Sequence, residues 1–189
     1  MESLYGKIHV KIKGKTPLLM NRMDMESLKS KTTKRTKTYD LEKDARRSAY
    51  ITEVNGKEQL YIPSVAIYTM IINTSKLYKQ KGRRSSIAYL LAGTIRIEPE
   101  KILLGHCNYE VDVRPVVIQR ARIPRARAKI PEWEATFTLI YDKTVITESI
   151  VATLKEIISD AGRRMGLLDY RPQKMGWFGT FIVEEFNIE

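Results

Sequence analysis

Cysteine and histidine are both scarce in this sequence. The single cysteine, Cys107, excludes an intramolecular disulfide and a cysteine-rich zinc site. The two histidines, His9 and His106, do not stand at a metal-ligand spacing, and no Walker loop, GxSxG motif or paired-carboxylate constellation is present. We therefore expect no metal, no cofactor and no catalytic residue.

Long apolar runs are also missing. No stretch approaches the roughly 18 consecutive apolar residues of a membrane helix, and the first ten residues lack the features of a signal peptide. Hydrophobic residues nevertheless make up 43% of the chain and fall into several patterned segments, which is typical of a folded protein. We expect a single domain over residues 1–189, located in the cytoplasm, with no membrane partner.

Acidic residues are too few to balance the basic ones. The 33 lysines and arginines exceed the 22 aspartates and glutamates, which gives a net charge of +11 and a pI of about 9.7. Such an excess favours a polyanionic partner, because Lys and Arg attract phosphate independently of sequence. The alternative is a solvated surface rich in lysine, and the distribution of the charge must decide between them.

The periodicity of the apolar residues predicts several strands. Residues 4–13 alternate as a half-buried strand, with Ile8, Val10 and Ile12 on one face and a row of basic residues on the other. The dipeptide Asn55-Gly56 predicts the turn of a β-hairpin. Further strands are predicted within 94–104, 109–119, 134–142 and 180–186, whereas Pro124 and Pro131 indicate an edge or loop segment between the second and third of these.

Two helices are predicted between these strands. The first follows Pro63, with Ser64 near its N-cap, and carries Val65, Tyr68 and Ile72 along one side. The second begins after Thr147 as the cap and ends at Gly162. The order of elements favours an α+β fold with a ferredoxin-like (RRM-like) split βαβ core, an antiparallel sheet, added hairpins, and a flexible basic arm at about 22–48.

Basic residues are concentrated in three clusters. Five fall within 29–37 of the predicted arm, a second cluster includes Arg83 and Arg84, and the third runs through RARIPRARAK at 120–129. In an extended third cluster, Arg125, Arg127 and Lys129 project from one side, where each guanidinium could fork onto two phosphate oxygens. The alternative is a solvated edge strand that its charge protects against aggregation.

The segment GLLDYRPQKMGWFG at 166–179 combines glycine, aromatic and basic residues. Tyr170, Trp177 or Phe178 could stack on a base, while Gly176 and Gly179 would let the backbone approach a ligand and free its N–H groups for phosphate oxygens. The alternative for each aromatic is core packing beside the last strand, because large aromatic residues are mostly buried.

This segment, extended to GLLDYRPQKMGWFGTFIV, resembles the C-terminal glycine-rich loop of the RAMP superfamily, the repeat-associated RNA-binding proteins of CRISPR systems. The stretches VKIKGKTPLLMNR, YIPSVAI and KQKGRR are similar to uncharacterised phage and archaeal proteins with the character of CRISPR backbone subunits. The resemblance implies an RRM-like ferredoxin fold, a mobile arm at 22–48, and oligomerisation along a single strand. It carries over no catalytic residue.

From these observations we expect non-catalytic binding of single-stranded RNA or DNA, as a homo-oligomer or as a subunit of a ribonucleoprotein. Two alternatives stay open: a metal-independent endoribonuclease with His9 as its acid–base group, and a structural virion or scaffold protein. The predicted nucleic-acid-binding residues are Lys11, Lys13, Arg46, Arg47, Arg83, Arg84, Arg120, Arg122, Arg125, Arg127, Lys129, Tyr170, Arg171, Gly176, Trp177, Phe178 and Gly179.

Overall fold

The computed structural model describes residues 4–23, 40–80, 82, 84–118 and 121–189. Most of the predicted basic arm, residues 24–39, and the predicted binding residues Arg83 and Arg120 lie outside this part of the chain. The strands are β1 Tyr5–Gly14, β2 Leu18–Leu19, β3 Ile51–Val54, β4 Lys57–Pro63, β5 Ile95–Glu98, β6 Lys101–Leu103, β7 Glu110–Ile118, β8 Ala121–Ile130, β9 Glu134–Asp142 and β10 Phe181–Ile188. The α-helices are α1 Leu41–Ser48, α2 Ser64–Ser75, α3 Ala88–Ala92 and α4 Glu148–Asp160.

The central sheet has the strand order β10-β1-β9-β5, and every neighbouring pair in it is antiparallel. Along the chain, the four strands of this sheet occur in the order β1, β5, β9 and β10. Helix α2 lies between β1 and β5, and helix α4 lies between β9 and β10, while β5 and β9 pair directly. This is the split βαβ arrangement of a ferredoxin-like core. The fold predicted from the sequence is confirmed.

One face of the central sheet forms the core with the two long helices. Ile8, Val10 and Ile12 of β1 are fully buried, as their alternation predicts, and belong to one cluster with Ile71 of α2 and Leu154 of α4. Burying a side chain of this size contributes about 1.5–3 kcal/mol relative to leaving it exposed. The core thus holds both helices on one side of the sheet and leaves the other face of β1 to its basic residues.

The buried side of α2 differs from the side that the sequence suggests. Val65, at the start of the predicted stripe, is 64% exposed, whereas Ile67, Met70 and Ile71 are buried. The helix is apolar on most of its circumference, so periodicity alone does not select the side that packs. Val65 is left facing an open groove that is described below. In the described residues, no helix has the length and apolar character that crossing a membrane requires.

The second long helix does not end at Gly162, so that prediction is wrong. The chain continues from α4 into a π-helical turn, Ala161–Met165, and leaves the helical path at Gly166, which has a φ of 67°. A Cβ on Gly162 would lie 2.4 Å from the carbonyl oxygen of Phe181. Glycine is needed there because the backbone of β10 packs directly against the turn.

Two hairpins extend from this core. In the β3–β4 hairpin, Asn55 and Gly56 both have positive φ, 52° and 74°, which confirms the predicted turn. The β7–β8 hairpin is longer, and its register runs from Glu110 opposite Lys129 to Ile118 opposite Ala121. Helix α1, which lies in the last part of the predicted arm, packs against β8.

Candidate nucleic-acid interface

The β7–β8 hairpin presents two different faces. Ala126 and Ala128 are buried on one face, while Arg125, Arg127 and Lys129 share the other, as predicted for an extended segment. Residues directly opposite each other in an antiparallel pair share a face. The register therefore adds three residues of β7 to the basic face: Glu110, Asp112 and Arg114.

Two cations on this face are neutralised within the protein. Lys129 Nζ lies 2.6 Å from Glu110 Oε2, and Arg127 Nε lies 3.0 Å from Asp169 Oδ2. The Arg127 and Asp169 atoms are buried and, despite this distance, are not aligned as a hydrogen bond. They form a mostly buried ion pair that links the hairpin to the 166–179 loop. Because Asp169 neutralises its charge, Arg127 is poorly suited to bind a phosphate.

Arg125 and Arg122 are placed differently. Arg125 is exposed, and its Nη2 donates to Asn21 Oδ1 at 3.1 Å, which leaves its positive charge without a carboxylate partner among the described contacts. Arg122 is also exposed and lies nearer the tip of the hairpin, opposite Val117. Because successive side chains of a strand point to opposite faces, Arg122 lies on the other face from Arg125. Both residues contribute exposed positive charge to the part of the hairpin that the structure describes.

Arg114 joins the hairpin to the aromatic residues of the loop. Its Nε and Nη2 donate to the two carboxylate oxygens of Asp112 at 2.7 and 3.1 Å, and these hydrogen bonds raise the pKa of the guanidinium. Its Cζ lies 4.8 Å from the ring centroid of Phe178 and 5.4 Å from that of Tyr170. Sequence analysis missed Arg114, although the Asp-x-Arg spacing in a strand already places both residues on one face.

Trp177 and Phe178 differ sharply in exposure. Their rings stack with centroids 4.4 Å apart and planes at 26°, yet Trp177 is 55% exposed and Phe178 is 1% exposed. A buried ring has no free face for a base, so we remove Phe178 from the predicted stacking residues. Tyr170 is partly exposed, with its ring centroid 6.0 Å from that of Phe178.

The glycines of the loop approach the protein's own backbone rather than a ligand. A Cβ on Gly176 would lie 1.7 Å from the carbonyl oxygen of Tyr170, and one on Gly179 would lie 2.2 Å from that of Leu167. Their N–H groups donate to the carbonyl oxygens of Arg171 and Pro17. This corrects the predicted role of both glycines, because neither the open side nor the N–H group is available for phosphate.

Arg171 also acts mainly within the loop. Its Nη1 donates to the Leu168 carbonyl oxygen, and its Nε and Nη2 donate to Gln173 Oε1 at 3.1 and 3.0 Å. Burial lowers the pKa of this guanidinium. The loop is thus held by its own side chains, while Lys174 remains exposed at its edge.

An open groove of about 290 Å³ lies between the first half of α2 and this loop. We call it the α2 groove and define it by its lining residues Asn21, Tyr50, Val65, Ala66, Thr69, Met70, Gly166, Leu168, Asp169, Arg171 and Lys174.

The lysines of β1 lie on the outer face of the central sheet, where acidic residues neutralise them. Lys11 Nζ is 3.3 Å from both Glu134 Oε2 and Glu184 Oε2, and Lys13 Nζ is 3.8 Å from Glu184 Oε1. Hydrogen bonding to Glu184 and then to Glu134 raises the pKa of Lys11. These two predicted binding residues therefore stand apart from the hairpin and the loop.

The other predicted residues also lie elsewhere. On α1, Arg46 Nη2 is 2.6 Å from Glu58 Oε1, and Arg47 is exposed beside it. Arg84 is exposed in the loop before α3. His9 is on the outer face of the sheet, with Nδ1 3.1 Å from Thr138 Oγ1 and Nε2 3.4 Å from Glu189 Oε2. Among the described residues, no three His, Cys, Asp or Glu side chains cluster as a metal site would require.

Comparisons with known proteins give matches in structure alone. No family model matches the sequence, and no curated protein matches it. A chain of the type III-B Cmr-beta complex bound to cognate target RNA superposes with a TM-score of 0.60 and 13% identity, over 97% of this chain and 60% of that chain. This chain therefore spans about three fifths of the length of that one.

Two further solved structures are similar. A chain of a CRISPR RNA-guided surveillance complex matches with a TM-score of 0.50 and 9% identity, over 97% of this chain and 68% of that chain. A chain of a type IV-B CRISPR complex matches with a TM-score of 0.48 and 11% identity, over 97% and 90%. The likeness to CRISPR complex subunits that the sequence suggests is confirmed, at the level of the fold.

Proposed function

We propose that this chain binds a single strand of nucleic acid, without catalysis, as one subunit of a multi-subunit nucleoprotein complex. Its fold supports this proposal, because the similar chains come from CRISPR complexes, and one of these complexes is bound to cognate target RNA. The expected cytoplasmic location is part of the proposal.

The observation that carries the proposal is the exposed indole ring of Trp177. It stacks on Phe178, which is buried and lies against Arg114, so the ring is held in place from beneath while much of it faces solvent. A rigid, exposed aromatic face is what base stacking requires, and such stacking contributes about 1–3 kcal/mol per base in single-strand binders. The alternative for Trp177 was packing in the core, and its 55% exposure is inconsistent with that alternative.

Exposed cations lie on the two elements that hold this aromatic platform. Arg125 is the cross-strand neighbour of Arg114, and Lys174 stands in the same loop as Trp177. We define the strand interface as Tyr170, Lys174, Trp177 and Arg125. Phosphates would contact the cations while bases stack on the aromatic rings, a combination that tolerates any base sequence.

The first test is fluorescence anisotropy with labelled single-stranded RNA, single-stranded DNA and duplex at several salt concentrations. We expect tight binding to single strands that weakens steeply with salt. Trp177→Ala should weaken binding about 5-fold or more, from the lost stacking. Tyr89→Ala is the matched control, since Tyr89 is an aromatic residue on α3 that is 86% exposed. Equal affinities for the two variants would contradict the proposal.

We propose that several subunits line up along one strand. Strands of increasing length should then bind increasing numbers of copies, which sedimentation velocity can count. A single copy on every length would instead indicate an isolated binding protein. Assembly without any nucleic acid would favour the scaffold alternative.

The absence of catalysis is also a proposal. The contacts of His9 with Thr138 and Glu189 favour an ordinary strand histidine on a polar face, and no observation favours the endoribonuclease as a second function. We expect labelled RNA to stay intact in EDTA with the wild-type protein. Cleavage that is abolished by His9→Ala would overturn this part of the proposal.

A further inference from the structure

The outer edge of β10 has no partner strand among the described residues. β10 is an end strand of the central sheet and pairs with β1 alone in the part of the chain that the structure describes. A β-bulge shifts the register between Lys11 and Ile12, so the pairing of residues 185–188 beyond it is regular. An unpaired edge presents a row of backbone N–H and C=O groups that can pair with another chain.

The hydrogen-bond pattern shows which residues of β10 present these groups. The Glu189 N–H donates to the Lys7 carbonyl oxygen at 2.9 Å. Hydrogen-bonded and non-hydrogen-bonded pairs alternate along an antiparallel ladder. The register therefore places Phe186 and Ile188 in non-hydrogen-bonded pairs with β1, and their N–H and C=O groups point toward the free edge.

An open groove of about 770 Å³ lies beside this edge, between α4 and the end of β10. We call it the α4 groove and define it by the apolar residues Tyr141, Ile146, Val151, Ala152, Phe186 and Ile188. Tyr141, Ile146 and Val151 are buried, whereas Ile188 is 61% exposed. The two residues that direct backbone groups to the free edge thus also line the groove. A strand added there would place every second side chain in it.

The charges around the groove balance each other. Its lining includes two cations and two carboxylates, which belong to Lys143, Lys155, Glu148 and Glu189. The cation of Lys155 lies over the ring of Phe186, with Nζ 5.9 Å from the ring centroid. The groove itself therefore favours neither sign of charge, and its apolar walls suit apolar side chains.

The other face of the same edge carries an unneutralised carboxylate. Glu185 lies opposite Lys11 and is exposed, and its Oε2 accepts a hydrogen bond from Asn187 at 3.4 Å. Among the described contacts it has no cation partner, because Lys11 and Lys13 contact Glu184 instead. Opposite charges on neighbouring strands stabilise their pairing. A basic side chain on an added strand would therefore pair with Glu185.

We propose that the β10 edge and the α4 groove bind an extended segment of a partner protein, which joins the central sheet as a further strand. Apolar residues at every second position of the segment enter the groove, and a basic residue on its other face lies opposite Glu185. Backbone hydrogen bonds give affinity in this mode of binding, and side-chain pockets give specificity. The site lies at the far end of β10 from the 166–179 loop, about 23 Å along the strand. This inference goes beyond the proposed function and does not depend on it.

The probe is a fluorescein-labelled peptide that alternates valine with lysine and is long enough to pair with residues 185–189. Anisotropy measures its binding, and a peptide that alternates valine with glutamate is the control. We expect the lysine peptide to bind more tightly, although the net charge of +11 attracts the glutamate peptide. Glu185→Lys should weaken binding of the lysine peptide about 5-fold or more, because opposite charges become like charges. Glu98→Lys, exposed on the other end strand β5, should leave it unchanged.

A second pair of variants tests the groove. Ala152 is exposed on α4 and lines the groove, so Ala152→Trp fills it without altering the core and should abolish binding of the lysine peptide. Ala92→Trp is the matched control, because Ala92 is an exposed alanine at the end of α3. Equal affinities of these two variants for the lysine peptide would overturn the proposal.

Hydrogen exchange followed by NMR distinguishes strand addition from other binding. In the free protein, the Phe186 and Ile188 amides should exchange faster than the Asn187 amide, which faces β1, and the bound lysine peptide should slow both. Three results would overturn the proposal. They are the absence of peptide binding, binding without protection of these two amides, and the same protection caused by dimerisation of the protein alone, which would assign the edge to a second copy.

Discussion

The guanidinium of Arg114 lies over the ring of Phe178, with 4.8 Å between its Cζ and the ring centroid. This contact joins the β7–β8 hairpin to a loop that begins 36 residues after the hairpin ends at Ile130, and it supports the ring on which Trp177 stacks. Asp112 holds the guanidinium in place from the same strand. The position of the exposed indole thus depends on a residue from a different element.

Replacing Arg114 should destabilise the protein. A partly buried cation–π contact contributes about 1–2 kcal/mol, so we expect Arg114→Gln to lower the free energy of unfolding by about that amount in urea denaturation. Arg96→Gln is the matched control, because Arg96 also lies over an aromatic ring, that of Tyr5, and pairs with Glu98 two residues away. Arg96 is more exposed, so its replacement should cost no more than about 0.5 kcal/mol. Similar losses for the two variants would show that Arg114 has no special supporting role.

Gly179 should tolerate no side chain. It has a φ of 68°, and a Cβ would lie 2.2 Å from the Leu167 carbonyl oxygen. We expect Gly179→Ala to lower the free energy of unfolding by about 3 kcal/mol, from backbone strain together with displaced backbone. Gly105→Ala is the control, because Gly105 has a φ of 79° but nothing within 4 Å of a new Cβ. It should cost about 1–2 kcal/mol. Equal losses would mean that the close approach in the loop has no energetic consequence.

The fold was predictable because its signals are local. The alternation of Ile8, Val10 and Ile12 and the Asn55-Gly56 turn each lie within a few residues of sequence, and the structure confirms them. The end of α4 was not predictable in this way. Glycine is required at position 162 because the backbone of Phe181, on β10, packs directly against it. The periodicity of the helix carries no information about that strand.

The candidate site was less predictable, because distant residues decide its properties. Trp177 and Phe178 are adjacent in a loop that has no periodicity, so the sequence does not show which of the two rings is buried. In the structure it is Phe178, the ring that Arg114 contacts. Lys11 has its charge neutralised by Glu134 and Glu184, which become its neighbours only through the sheet register. The sequence shows which residues are basic or aromatic, but it does not show which of the basic residues are paired with a carboxylate.

Arg125 and Lys11 should therefore respond differently to neutralisation. Each phosphate contact with a single strand contributes about 0.7 to the slope of log K against log salt concentration. We expect Arg125→Gln to reduce that slope by about 0.7 and Lys11→Gln to leave the slope and the affinity unchanged, both measured by anisotropy. A similar change for Lys11→Gln would mean that the outer face of the sheet contacts the strand.

Tyr78 and Asp160 should give the protein a pH-dependent stability. Tyr78 Oη donates to Asp160 Oδ2 at 2.7 Å, and this bond is the main cause that holds the pKa of Asp160 below its usual value. Burial, together with Asp160, raises the pKa of Tyr78 to about 12. The contribution of Asp160 is present above its unfolded pKa of about 4 and is lost as the pH falls through the folded pKa. The contribution of Tyr78 is present below about pH 10 and is lost as the pH rises toward 12.

Replacing Tyr78 by phenylalanine tests this coupling. At neutral pH we expect Tyr78→Phe to lower the free energy of unfolding by about 1 kcal/mol, since one hydrogen bond to a partly buried carboxylate is lost. The difference from the wild type should shrink below about pH 4, where Asp160 is protonated in the unfolded chain, and again above about pH 10. Urea denaturation from pH 3 to pH 11 measures it, with Tyr89→Phe as the exposed control. A difference that stays constant across this range would show that the two groups are not coupled, because only ionisation of Asp160 or Tyr78 can change the strength of their bond with pH.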